Sequence, residues 1–120
     1  MACTALLVVA DDALRNSIAF LLEAEGFVVL ADAGGDAALP QADCIVIDHC
    51  GQLHNLERNI ARVRAMSPGL PVLIVASNPS SKLRRIVADA NAHLVEKPLL
   101  TDSLIAKLRR LADGAASHGG

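Results

Sequence analysis

Three carboxylates, one hydroxyl and one ammonium stand directly behind short apolar runs in this chain. Asp11 and Asp12 follow ALLVVA (5–10), Asp48 follows CIVI (44–47), Ser77 follows VLIVA (72–76) and Lys97 follows HLVE (93–96). If those runs lie side by side and point the same way, all five groups meet at one rim. Carboxylates held that close repel one another unless a cation sits among them or one takes up a proton, and a cluster of hard oxygens with room for water suits Mg²⁺.

The elements that would position these groups are legible from hydrophobic patterning. The four runs, with FVVL (27–30), are short, and the clearest are apolar on both faces, which marks a parallel sheet covered on both sides. Between them apolar residues recur at helical spacing: Leu14, Ile18, Leu21 and Leu22; Leu53, Leu56, Ile60 and Val63; Leu83, Ile86, Val87 and Ala90; and, after the last strand, Leu100, Leu104, Leu108 and Leu111. Gly26, Gly34-Gly35, Pro40, Ser67-Pro68-Gly69, Pro71, Asn78-Pro79 and Pro98 punctuate the joins, and Thr101 or Asp102 is placed to cap the last helix. The pattern predicts five βα units in an α/β, doubly wound, five-stranded parallel sheet. Only GDAALPQA separates the second strand from the third, so the second helix is expected to be shortened to little more than one turn. In such sheets ligands bind outside the carboxyl ends of the strands, near the switch in strand order, which is where the five polar groups fall.

Composition narrows the function classes. A chain of 120 residues fits one domain with a real core, and with 52% apolar residues and Phe20 and Phe27 as its aromatics, that core is aliphatic. The net charge is −2, and the basic residues are dispersed apart from the Arg84-Arg85 and Arg109-Arg110 pairs, so nucleic-acid binding gets no support. Cys3, Cys44 and Cys50 are odd in number and lack zinc or disulfide spacing, which fits a reducing cytosol. ALLVVA is too short to span a membrane and has no basic residue before it, so neither an anchor nor a signal peptide is expected. The expectation is a soluble, cytoplasmic protein.

The ordered set LLVVADD, CIVID, LPVLIVAS and HLVEKP resembles the receiver domain of bacterial two-component response regulators, a CheY-like, flavodoxin-like (βα)₅ fold, over essentially residues 4 to 112. On that resemblance residues 1–112 are the receiver domain and 113–120 a flexible tail. The resemblance implies that Asp48 accepts a phosphoryl group from a histidine kinase or phosphotransfer protein. It implies Mg²⁺ held by Asp11, Asp12, Asp48 and the backbone carbonyl of Cys50, and Lys97 paired with the phosphoryl oxygens. It also implies a cis bond between Lys97 and Pro98, a geometry nearly confined to X-Pro. A carboxylate fixed at a strand end attacks phosphorus in line when the site positions the partners and neutralises charge. The product adds a charge of about −1.5 to −2, which biases neighbouring loops and helices. The domain is therefore a signalling switch that assists its own phosphorylation and dephosphorylation, not an enzyme with a released product. Its partners are expected on the first helix, around Arg15, Asn16 and Ala19, and on the face of the fourth helix, fifth strand and fifth helix, near Arg84, Arg85, Lys107 and Arg110. That second face is also the candidate for a homodimer. No DNA-binding output domain is expected within the chain.

Several residues depart from the family's pattern. Ala10 takes the first acidic position, with Asp11 at the second and a one-residue deletion in the loop afterwards. Ala76 takes the switch hydroxyl's position, with Ser77 one residue late; adjacent strand residues face opposite ways, so Ser77 substitutes only if the strand has already ended. Leu94 takes the aromatic switch position, and HCGQL follows Asp48. The alternative reading is a degenerate receiver that acts as a phosphorylation-independent interaction module. Taken alone, Asp11 and Asp12 also read as caps of the first helix; beside Asp48 and Lys97 they read as metal ligands. His49, Cys50 and His54 match no zinc spacing, and carboxylates beside Cys50 are the wrong sign for a reactive thiolate. DAGGDAAL lacks the lysine and spacing of a nucleotide loop, and the acids of the first loop are unsuited to the phosphate of a flavin.

Overall fold

The computed structural model describes residues 3–32, 40–49, 51–97, 106, 107, 109 and 110. Its elements run β1 (Thr4–Val8), α1 (Asp12–Ala24), β2 (Val28–Ala31), β3 (Cys44–Asp48), α2 (Leu53–Met66), β4 (Val72–Ala76), α3 (Ser81–Asp89) and β5 (His93–Glu96), and residues 106, 107, 109 and 110 are helical as well. The strands form one parallel sheet in the order β2-β1-β3-β4-β5. The α/β, doubly wound, five-stranded sheet expected from the sequence is thus present. The shortened second helix, the tail 113–120 and most of the last helix lie outside the described residues.

Alternation along the strands divides the core in two. On one face Ala5, Leu7, Cys44, Val46, Leu73 and Val75 pack with Ile18 and Leu22 of α1 and with Phe27. On the other, Leu6, Ile45, Ile47, Val72, Ile74 and Ala76 pack with Leu56, Ile60 and Val63 of α2 and Leu83 and Val87 of α3. Both faces are covered, so β3 and β4 carry apolar residues at every inner position. Phe27 belongs to this core, whereas Phe20 is 74% exposed on α1.

Local chemistry sets the helix ends. Asp11 adopts an extended backbone and its carboxylate accepts the Leu14 N–H at 2.9 Å, which starts α1. The helix stops where Gly26 enters the left-handed region at φ +93°; its N–H bonds the Glu23 carbonyl at 3.0 Å and the Phe27 N–H bonds the Leu22 carbonyl at 3.0 Å. Asn91, at φ 54°, closes α3 in the same way, with the Ala92 N–H bonded to the Val87 carbonyl at 3.0 Å. Arg64 then ties the ends of α2 and α3 together, since its guanidinium donates to the carbonyls of Ala90 at 2.8 Å and Leu70 at 2.5 Å.

Candidate functional site

Every strand is parallel, so the residues that follow the strands share one edge of the sheet. Asp48 is the last residue of β3, opposite Val75 of β4, and the His49 N–H continues the ladder to the Val75 carbonyl at 2.8 Å. Lys97 follows β5 directly, and its N–H bonds the Ala76 carbonyl at 2.8 Å. From there the Lys97 side chain crosses the end of β4 and brings Nζ to 2.8 Å from Asp48 Oδ1. Strands are spaced by about 4.8 Å, so the ammonium spans roughly two strand widths.

The electrostatics of the pair are asymmetric. The Asp48 side chain is 2% exposed and that of Lys97 26%. Despite the 2.8 Å contact, Oδ1 accepts no well-directed hydrogen bond among the described residues, so Lys97 meets it as a point charge. A buried carboxylate compensated by one ammonium has its countercharge already in place.

Among the described residues Asp11 and Asp12 do not join Asp48 in a cluster that could hold a metal ion. The Asp11 carboxylate is engaged as the cap of α1. Asp12, 81% exposed, forms an ion pair with Arg15, whose guanidinium also donates to the Val9 carbonyl at 3.1 Å. Among the described residues no group of three or more His, Cys, Asp or Glu side chains comes together to hold a metal ion. The Cys50 carbonyl, assigned to the metal by the resemblance, lies outside the described residues, as does Pro98 with its cis bond. As they stand, the described residues do not fit the Mg²⁺ ligand set. Ser77 is exposed and sits one residue beyond β4, which ends at Ala76; Asn78 follows at φ 44° and Ser80 caps α3. The strand has therefore ended at Ser77, the condition under which its hydroxyl is free to turn to the rim.

One strand-end acid was absent from the sequence reading. Asp32 follows β2 and forms a two-pronged ion pair with Arg62 of α2, at 2.8 and 3.0 Å, with side chains 6% and 16% exposed. Its signal in the sequence was the same as that of Asp48, an acid directly after an apolar run, but the partner lies 30 residues away. The Cys44 thiol is pushed up to about 12 by burial, with Cys3 and Asp43 adding to the effect, so it stays protonated and unreactive.

No protein-family model matches the sequence, and no curated protein matches it. Solved structures do resemble it. A response regulator receiver domain protein (CheY-like) from Methanospirillum hungatei JF-1 superposes with a TM-score of 0.87 at 18% identity, covering 98% of this chain and 99% of that one. The chemotaxis protein CheY4 of Vibrio cholerae gives 0.78 at 20% identity, over 92% of this chain and 99% of its own. Full-length FixJ from B. japonicum gives 0.78 at 26% identity and covers 94% of this chain, which spans 59% of FixJ. The fold is the CheY-like, flavodoxin-like receiver fold. Among the described residues no helix is long and apolar enough to cross a membrane.

Proposed function

We propose that this chain is a phosphoacceptor signalling domain of a two-component system, in which Asp48 takes a phosphoryl group from a histidine kinase or phosphotransfer protein. The observation that carries the reading is the Lys97–Asp48 ion pair at the carboxyl edge of a receiver-fold sheet. In the transfer an Asp48 carboxylate oxygen attacks phosphorus. The new O–P bond forms as the N–P bond of the donor's phosphohistidine breaks, and the electron pair returns to the imidazole nitrogen. Lys97 shifts from the carboxylate to the phosphoryl oxygens, a move that its flexible stem and 26% exposure allow. Charge neutralisation is assigned to Lys97, because Asp11 and Asp12 are committed to a cap and to Arg15. The domain works in the cytoplasm and signals through protein contacts.

A second reading, a degenerate receiver that binds partners without phosphorylation, is favoured by one observation: both acids that follow β1 are already engaged. Incubation with acetyl phosphate, with and without Mg²⁺, separates the two. The phosphoacceptor reading expects one added phosphoryl mass in the wild type and none in Asp48→Asn. No gain with any small donor or phosphorylated kinase would leave the degenerate receiver standing.

A further inference from the structure

α2 and α3 cover the same face of the sheet, and the seam between them is not filled. Each helix turns one stripe toward the other: Glu57, Ile60 and Ala61 at i, i+3 and i+4 on α2, and Ile86, Asp89 and Ala90 at the same spacing on α3. Ala61 and Ala90 bring only a methyl each, which leaves an open groove of about 270 Å³. Ile60 is buried and Ile86 and Ala90 are half-buried, so the floor is aliphatic. Glu57 and Asp89, one from each helix, are exposed. Pockets for drug-sized ligands run to about 300–1,000 Å³, so this groove suits a smaller, slimmer molecule.

The two acids have no countercharge of their own. Neither Glu57 nor Asp89 forms an ion pair among the described residues. Lys82 stands one turn before Ile86 and Arg64 one turn after Ala61, yet neither is paired with these acids. Arg64 is engaged instead by the carbonyls of Ala90, at 2.8 Å, and Leu70, at 2.5 Å. Asp89 is the last residue of α3, at the negative end of the helix dipole, and the last turn of α3 holds no basic residue. An acid there is set against its own helix until a cation joins it. A metal ion is a poor fit, because a hard cation needs several oxygens converging on one point, and here two carboxylates on separate helices flank aliphatic side chains. A ligand that is cationic at both ends and aliphatic between them meets each part of this surface with its complement.

We propose that the groove between α2 and α3 binds an aliphatic diamine, with its ammonium ends on Glu57 and Asp89 and its methylenes over Ile60, Ile86 and the two alanines. The assignment does not depend on phosphorylation, so Asp48→Asn should bind as the wild type does. The test is an amide chemical-shift titration of the full chain at low salt with straight-chain diamines from diaminopropane to diaminooctane, beside the matching monoamines and diols. One chain length should bind best, shift residues 57–61 and 86–90, and lose affinity as salt rises. The monoamine of that length, which meets only one acid, should bind about fivefold more weakly, and the diol should not bind. Glu57→Gln and Asp89→Asn should each weaken the best diamine about fivefold. Both positions are exposed, and unchanged amide dispersion would confirm the fold. Ala61→Leu, which fills the groove from an exposed helical position, should block binding with both acids intact. No shifts at these residues, affinity that ignores chain length, equal binding of the monoamine, shifts centred on Asp11, Asp12 and Asp48, or stronger binding of a lysine-rich peptide at the same residues would each overturn the proposal.

Discussion

Removing the Lys97 charge while keeping its bulk, with Lys97→Met, isolates the pair on which the site depends. The substitution leaves the Asp48 carboxylate, 2% exposed, without its cation, and burial denies it water in compensation. Breaking a fully buried pair from one side costs about 3–5 kcal/mol; because the Lys97 side chain is 26% exposed, the lower end, about 3 kcal/mol, applies. Asp48→Asn leaves the opposite orphan, an ammonium that turns out to solvent, at about 1 kcal/mol. The double variant should cost much less than the sum of the singles, because the stranded carboxylate is gone. Urea denaturation at neutral pH followed by circular dichroism reads all four proteins. With a slope near 1.5 kcal/mol/M, Lys97→Met should lower the midpoint by about 2 M. A Lys97→Met midpoint within the error of wild type, or a larger loss for Asp48→Asn than for Lys97→Met, would refute the claim that Lys97 compensates a buried charge.

Three further outcomes are expected. Asp11→Ala should lower stability by about 1 kcal/mol through loss of the α1 cap, read by thermal unfolding, whereas Asp12→Asn, at an exposed ion pair, should change it by less than about half that. Ser77→Ala, at an exposed position past the strand, should leave stability unchanged and reduce the chemical-shift response of residues 78–97 to a phosphoryl mimic. The His93 ring should titrate below 6.5, because burial and then Lys107 and Arg110 disfavour its protonated form, and Lys107→Gln should move the midpoint upward. By linkage, the unfolded chain then binds more protons than the folded one just below pH 6.5, so His93 contributes a loss of stability on acidification through that window. His93→Gln should flatten that part of the profile.

The sheet was legible because each strand is an apolar run with nothing polar to interrupt it. CIVI and VLIVA coincide with β3 and β4 nearly to the residue, and Asp48 and Lys97 fall at the strand ends because a charge marks where burial stops. The end of β1 was less legible. ALLVVA extends to Ala10, but the strand stops at Val8, and the two residues beyond it lead into α1. That turn fixes whether Asp11 faces the rim or caps the helix, and hydropathy carries no information about it. Nor is there a local signal for Asp32 with Arg62, or for Arg64 with the Ala90 carbonyl, since those partners lie 30 and 26 residues apart. Ser77 stands between the two cases: its position one residue late was plain, while its freedom from the strand depended on the ladder ending at Ala76.

The central claim, that Asp48 is the phosphoryl acceptor, is tested most directly by fixing the position of the modification chemically. Borohydride reduces an aspartyl phosphate to homoserine and releases phosphate, so treatment of the phosphodonor-reacted protein followed by peptide mass analysis marks the acceptor permanently. The account predicts homoserine at position 48 in the wild type, with no conversion in Asp48→Asn. Homoserine at Asp11, Asp12 or Asp32, or no conversion anywhere after reaction with a phosphorylated kinase, would contradict it.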